Sequence, residues 1–370
     1  MNRRDVIGFL LAVGGGGVVA SCVPRGRSVA GRPAFAIPPV LVSEDRVTGM
    51  LVGLRPYRPS GFVLRSERLD GKHLIHNYGH GGGGLTLSWG VAHLAFERAL
   101  ESEQRQCAVL GCGVIGLSTG ILLQRRGWEV TIYARDLPPD TTSNIAGGLW
   151  SPFSVYEEDR ATPAFKEQFQ RAARLAHQHF RSLVGPRYGV RWVESYQVAD
   201  DPVRVPGFFE DLADLYPGTT LFGPGQHPFP HRYARRDLMI QIETPGYLAA
   251  IESDFRMAGG RVVQREFRGL ADVGQLAEPV VVNCTGLGSR ELFDDTELIP
   301  AKGQLIVLVP QPEVQYGFGM DDGSLYMMSR QDGVLLGGTF ERDVWDLTPN
   351  LQEMERVLRG HGNVFSSLVP

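Results

Sequence analysis

Cysteine is scarce: Cys22, Cys107, Cys112 and Cys284 are the only four in 370 residues, too few for a disulfide framework. Two of them flank a glycine turn and one ends an apolar run, so they read as small buried residues. They neither support nor exclude an oxidising compartment. An excess of one charge is missing too: 37 Lys and Arg stand against 41 Asp and Glu, a net charge of -4, with no basic stripe. This argues against nucleic acid as a partner. The apolar run from Gly8 to Ala20 is too short and too rich in glycine to span a membrane. His73 and His76 stand three apart in a strand pattern, hence on opposite faces, so no metal site is expected. What remains is an ordinary globular composition, 43% apolar and 21% charged, long enough for two domains.

The stretch from Cys107 to Pro152 organises the chain. A short apolar run ends in Gly111-Cys-Gly113-Val114-Ile115-Gly116, an amphipathic segment reaches Arg126, and a second apolar run covers Trp128 to Tyr133. This reads as strand, glycine turn, helix, strand. Gly111 suits the tight turn, Gly113 the close approach of backbone to a pyrophosphate, and Gly116 the packing of helix on strand. The helix N-terminus favours an anion. A ribose-binding carboxylate is expected about 20 residues on, where Arg135 and Asp136 stand. An arginine there also suits a 2'-phosphate, so spacing leaves FAD, NAD and NADP open. Thr141, Thr142 and Ser143, then Ala146-Gly147-Gly148-Leu149, offer hydroxyls for a second anion contact and small residues for backbone against a flat ring.

Two motifs come earlier. In Gly53-Leu-Arg55-Pro-Tyr-Arg58-Pro59 the prolines restrict the backbone, and a guanidinium held this way suits bidentate capture of a carboxylate. Gly81 to Gly84 follow a strand pattern, and a helix is expected over Val91 to Gln106. The run therefore reads as backbone wrapped around a cofactor. Further on, Thr162 caps and Pro163 opens a helix to Leu183, with solvated histidines and arginines. A helix from Glu243 to about Met257 stops at Gly259-Gly260, a strand covers Arg261 to Phe267, and Pro279 to Gly286 is a buried strand and turn. Two β runs around Gln331-Asp332-Gly333 signal a hairpin, with Tyr326 in the first run.

The segments GCGVIGLSTG, YARDLPPDTTSNIAGGLWSP, LIHNYGHGGGGLTLSWG, GLRPYRP, NCTG and PAKGQ resemble the D-amino acid oxidase family of FAD enzymes, over about Val47 to Trp345. The order differs. In that family the glycine fingerprint opens the chain and the GLRPxRP and HNYGHGG motifs close it, so the sequence resembles a circular permutation. Such a change is tolerated where termini are close and exposed. The resemblance implies an α/β fold, with a Rossmann-like FAD-binding domain at 41–152 and 236–299. A second α+β substrate domain, built on an antiparallel sheet, would cover 153–235 and 300–360.

It also implies that FAD is held by Gly111, Gly113, Val114, Ile115, Gly116, Arg135, Asp136, Thr141, Thr142, Ser143, Gly147, Gly148, Leu149 and Phe267, and by Gly82, Gly83, Gly84, Leu85 and Thr86. Arg58 would fix the substrate carboxylate, with Arg55 supporting the loop, Tyr326 adding a hydrogen bond and the Gly82 carbonyl holding the amine. Hydride transfer to the flavin needs positioning rather than a protein base. Two departures bear on the pocket: vertebrate members carry tyrosines where this chain has Gly83 and Asp322, and Tyr316 is the candidate substitute for the second. The implied reaction converts a D-amino acid and molecular oxygen to a 2-oxo acid, ammonia and hydrogen peroxide. A flavin dehydrogenase using another acceptor, a flavin-binding protein without turnover and an NADP-linked dehydrogenase remain as alternatives. A homodimer is a further expectation.

Residues 1–22, with Arg3-Arg4 before the apolar run, read as a twin-arginine export signal, and Val19-Ala-Ser-Cys22 resembles a lipoprotein cleavage site with a lipid anchor at Cys22. The expected location is the bacterial cell envelope or periplasm, and the cytoplasm if the arginine pair is incidental. Residues 23–40, rich in Pro, Gly and Arg, read as a linker.

Overall fold

The computed structural model describes residues 33–203 and 210–369. The expected export signal, including Cys22, lies outside them. In chain order the strands are β1 (Val47–Tyr57), β2 (Val63–Leu69), β3 (Lys72–Tyr78), β4 (Gln106–Leu110), β5 (Glu129–Ala134), β6 (Val190–Ala199), β7 (Thr220–Phe222), β8 (Tyr233–Ile242), β9 (Arg261–Gln264), β10 (Val280–Asn283), β11 (Ile299–Leu308), β12 (Tyr316–Met320), β13 (Tyr326–Arg330), β14 (Gly333–Gly337) and β15 (Glu341–Arg342). The helices are α1 (Gly84–Ala99), α2 (Val114–Gln124), α3 (Pro163–Ser182), α4 (Thr244–Met257), α5 (Leu270–Gly274), α6 (Ser289–Leu292) and α7 (Leu351–Ser366).

Six strands form one sheet in the order β2-β3-β10-β4-β5-β9, parallel except for the β2/β3 hairpin. Its central strands are buried on both faces. Cys107 and Val109 of β4 face the core under α1, α2 and α4, while Ala108 and Leu110 pack with Leu74, Val273 and Val281 on the other side. That double burial explains why β4 and β10 read as unbroken apolar runs. Helix α1 carries the chain from β3 to β4 across β10, which makes β3-α1-β4 a parallel crossover unit.

The second sheet has nine strands, in the order β1-β11-β14-β13-β12-β6-β8-β7 with β15 beside β11. It is antiparallel except where β12 runs parallel to β6. One face is apolar: Ile306, Phe318, Met327 and Leu336 are buried against Met354, Val357 and Phe365 of α7. The expected α/β plan with two units is present.

Several expected boundaries shift. Strand β1, placed by the sequence reading in the nucleotide unit, pairs with β11 through ten residue pairs and belongs to the nine-stranded sheet. Strand β8, split by the expected boundary at 236, lies wholly in that sheet. Residues 33–40 are more than a linker: Phe35 stacks on Tyr196, Val40 is buried, and Pro38 accepts a hydrogen bond from Tyr316. Their apolar side chains find the same apolar face as α7. Helix α1 begins at Gly84, because the glycine run itself winds into the first turn, and it ends at Ala99. The cap at Thr162 and Pro163 is as expected, with Thr162 Oγ1 accepting from the Phe165 amide. The helix's histidines are not solvated, however: His177 is buried edge-on to Trp150 and His179 stacks on Trp89.

Candidate functional site

The nucleotide end is built by β4, α2 and β5. Gly111 has φ +107° and a side chain there would strike the Cys284 carbonyl, while one at Gly116 would strike the Gly111 carbonyl. These two glycines let α2 sit against the strand. Gly113 is different: a Cβ there meets only Ser143 Oγ, at 3.0 Å. The space beyond it is open and faces the first-turn N–H groups, of which the Val114 amide donates to that same Ser143 Oγ. Glycine leaves that space free for a pyrophosphate at the helix N-terminus. Thr142 and Ser143 lie in a short 3-10 turn from Thr142 to Ile145, and Thr141 Oγ1 bonds Asn144 at 2.7 Å. Arg135 and Asp136 follow β5 and are paired with each other at 2.7 Å, one carboxylate and one guanidinium at the ribose position. Phe267 packs edge-on against Tyr133 of β5 under Arg265.

Between the sheets, residues 146–150 cross over by backbone hydrogen bonds to β8: Ile242 N to Gly148 O at 2.8 Å, and Trp150 N to Ile240 O at 2.7 Å. Gly148 has φ +96° and cannot carry a side chain, because Ile242 O fills that space. The glycine run packs against the continuation of this segment. Gly82 N donates to Ser154 O at 2.9 Å, a side chain at Gly83 would strike Val155, and Thr86 Oγ1 donates to Ser151 O. The glycine run is thus fixed backbone, and Gly82 to Thr86 come to the crossing with Gly147 and Leu149. Together these residues fit FAD: an anion cradle at α2, a ribose position after β5, and two backbone walls for a flat ring.

Below that crossing, the nine-stranded sheet turns its second face. Register pairs Gly53 with Gly303, Tyr326 with Gly337 and Gly319, and Met328 with Gly317. Several cross-strand neighbours on this face are therefore glycines, and large side chains can lie flat over them. Arg55 lies over Gly303, and the Tyr326 ring lies over Gly337. Reaching toward each other, they meet with Arg55 Nη2 donating to Tyr326 Oη at 3.3 Å. Phe340 lies under the guanidinium, 5.7 Å from its carbon, and Tyr57 packs edge-on to Phe340 while touching the position of Gly81. Arg55 Nη1 is buried and has no hydrogen-bond partner among the described residues, and no carboxylate among them pairs with Arg55. A half-buried guanidinium without an acidic partner, its Nη1 buried and unmet beside a hydroxyl, is a site made for an anion.

Arg58 lies elsewhere. Its Nε donates to Asp295 at 2.8 Å, Nη2 to Glu297 at 2.7 Å, and Nη1 to Ser60 Oγ and the Gly61 carbonyl. Tyr78 adds a bond to Asp295 at 2.9 Å. With every nitrogen engaged, Arg58 ties the end of β1 to the loop before β11 and is not the free guanidinium that the sequence reading expected there. The available arginine is Arg55. The signal was present: the two lie three apart at the end of a strand, so they point to opposite faces.

Tyr316 faces the apolar side, buried and bonded to Pro38, so it does not reach the site. Asp322 sits in the β12–β13 turn and accepts from the Ser324 amide. Sequence reasoning missed Phe340, whose place under Arg55 depends on the path of the chain between β14 and β15. Arg342 also lies over Phe340, 5.6 Å from the ring centroid, and pairs with Glu157.

Comparison with known proteins places the chain in a family. The family model described as FAD dependent oxidoreductase matches residues 106–370. The chain is 32% identical over 259 residues to a D-amino-acid oxidase of Rubrobacter xylanophilus, covering 69% of this chain and 75% of that one. It is 31% identical over 275 residues to a D-amino-acid oxidase of Streptomyces coelicolor, covering 71% and 79%. Among solved structures, an iminodiacetate oxidase from Chelativorans shares the fold, with TM-score 0.54 and 16% identity over 70% of this chain and 79% of that one.

Proposed function

The chain belongs to the DAO family of FAD-dependent oxidoreductases, and from that premise we propose that it oxidises free D-amino acids to imino acids, which water converts to 2-oxo acids and ammonia. The observation that carries the reading is Arg55: a half-buried guanidinium with no acidic partner among the described residues, its Nη1 buried and unmet and its Nη2 3.3 Å from a tyrosine hydroxyl. An α-carboxylate supplies what it lacks, two coplanar acceptor oxygens for a planar donor fork. Arg55 and Tyr326 take the carboxylate, Phe340 holds the guanidinium plane, and the glycine run at Gly82 offers backbone to the amine.

FAD, when bound, supplies the acceptor for the Cα hydride. The chain supplies position: two clamps on the carboxylate fix the Cα–H direction, and glycines under them let the substrate lie close to the sheet. No proton on the carbon has to be taken by a protein base when the amine enters uncharged. Molecular oxygen is the acceptor in this reading, with a membrane or soluble electron carrier as the alternative. Support for D over L stereochemistry comes from the two D-amino-acid oxidase relatives.

The same reading includes two further features. Residues 47–105 precede the family match, yet β1 and β3 are integral to the two sheets and α1 connects β3 with β4; a circularly permuted member of the family accounts for that. The arginine pair at Arg3-Arg4 and the motif ending at Cys22 support export and lipidation. The deciding experiment is anaerobic absorbance of the flavin-loaded protein. Bleaching by D-amino acids with L-enantiomers inert is expected; no bleaching by any D-amino acid overturns the reading.

A further inference from the structure

Beyond Tyr326 the glycine-floored face continues. Tyr326 pairs with Gly319, and Gly319 with Gln197; Met328 pairs with Gly317, and Gly317 with Ser195. Neither glycine carries a side chain between β13 and β6, so the floor stays low across two strand spacings, roughly 10 Å. A Cβ on Gly319 would meet the Gln197 amide at 2.7 Å, and one on Gly317 would meet Ser195 Oγ at 3.0 Å and Leu149 at 3.7 Å. The polar ends of Gln197 and Ser195 therefore turn onto the same face as Tyr326, under the segment that crosses between the sheets.

Ser195 is 1% exposed and its Oγ has no hydrogen-bond partner among the described residues. A buried hydroxyl left without a partner costs stability, so one that persists points to a partner arriving with a ligand. Next across the sheet, Ser195 pairs with Asp237 and Gln197 with Arg235. Arg235 Nε donates to Asp237 at 2.8 Å and Thr219 Oγ1 donates to the other Asp237 oxygen. The far wall is thus polar with its charges matched.

We propose that this trough receives the substrate's side chain and selects an uncharged hydrogen-bonding one, the carboxamide of D-glutamine or D-asparagine. The inference rests on the carboxylate being clamped at Arg55 and Tyr326, as set out above. From that anchor a side chain of three or four bonds crosses the glycines and ends beside Gln197 and Ser195. A carboxamide carries one acceptor and two donors; the Gln197 amide can serve both kinds, and the Ser195 hydroxyl can donate or accept. An apolar side chain leaves the hydroxyl unpaired, and a charged one meets a wall whose arginine and aspartate are already matched, so both bind less well.

The test is steady-state and anaerobic half-reaction kinetics of the flavin-loaded protein with D-glutamine, D-asparagine, D-leucine and D-glutamate. The wild type should favour the amides over D-leucine and D-glutamate by at least tenfold in kcat/KM. Gln197→Leu should lower the ratio of D-glutamine to D-leucine tenfold or more, mostly through KM, while its flavin spectrum and Tm stay as in the wild type. Ser195→Ala, which removes only one oxygen, provides a second variant should the first not fold, and should shift the ratio the same way. Oxidation of D-leucine or D-glutamate in preference to the amides overturns the trough, as does an unchanged ratio in the variants. Both outcomes leave D-amino acid oxidation intact. A wild type that oxidises no D-amino acid overturns both.

Discussion

The two faces of the nine-stranded sheet are made by the same strands and differ residue by residue. Toward α7 the strands present Ile306, Phe318, Met327 and Leu336, all buried and in contact. Toward the nucleotide unit the neighbouring residues are Gly303, Gly317, Gly319 and Gly337, with Arg55, Tyr326, Gln197 and Ser195 among them. A strand alternates its side chains, so one sequence can serve packing and chemistry at once. The difference teaches that glycine here is a floor: it forfeits packing on one face to let long polar side chains lie flat and meet.

The comparison predicts that damage on one face spares the role of the other. The largest effect is expected from Arg55→Leu, which should lower kcat/KM by about three orders of magnitude, roughly 4 kcal/mol. Its Tm should stay level or rise, because the guanidinium loses only the Tyr326 hydroxyl and its place over the Phe340 ring, while a buried unmet donor is removed. A Tm drop of many degrees would mean that Arg55 holds the fold together. On the opposite face, Phe318→Ala should cost about 3–5 kcal/mol in denaturant unfolding, since the ring is 2% exposed and packs on Phe365 at 5.3 Å. Activity of the folded fraction should be preserved; loss of activity beyond loss of fold would show the faces are coupled.

Arg58→Ala sharpens the contrast within one motif. It leaves Asp295, 11% exposed, without its ion-pair partner, and should destabilise the protein by about 2 kcal/mol, discounted for partial exposure. Its kcat/KM should fall far less than that of Arg55→Leu. A fourth effect is a pH dependence. His361 of α7 is buried between the Val357 and Tyr326 carbonyls, and burial pulls its pKa from 6.5 down to about 4. The unfolded chain takes up this proton first as pH falls, so the stability it contributes is full above about 6.5 and is lost progressively toward about 4. His80 and His177 shift in the same direction. Thermal unfolding from pH 7.5 to 4.5 should therefore show a flatter decline for His361→Gln than for the wild type; equal slopes would reject the assignment.

Much of the nucleotide unit was legible because its signals are local. Each fingerprint glycine answers to a contact within a few residues or on the adjacent strand, and the strands beneath read as continuous apolar runs. The cap of α3 was legible for the same reason. The clamp was harder. Choosing between Arg55 and Arg58 requires knowing that Asp295 and Glu297, more than 230 residues later, meet Arg58, and that Gly303 and Gly337 lie beneath Arg55 and Tyr326. Residues 33–40 misled by composition: their prolines suggested a spacer, while Phe35 and Val40 decided where they pack.

The pairing of β1 with β11 sets a schedule for the ribosome. Val47 must wait for Leu308, which at ~5–20 residues per second is on the order of ten to fifty seconds of synthesis. The fingerprint unit β4-α2-β5, whose two strands pair directly with each other, ends at Ala134 and is made within about a third of that time. The nascent chain therefore carries the anion cradle of its nucleotide site while an eleven-residue strand, bearing Arg55, stays without its partner. Whatever shields that strand during translation guards the clamp as well.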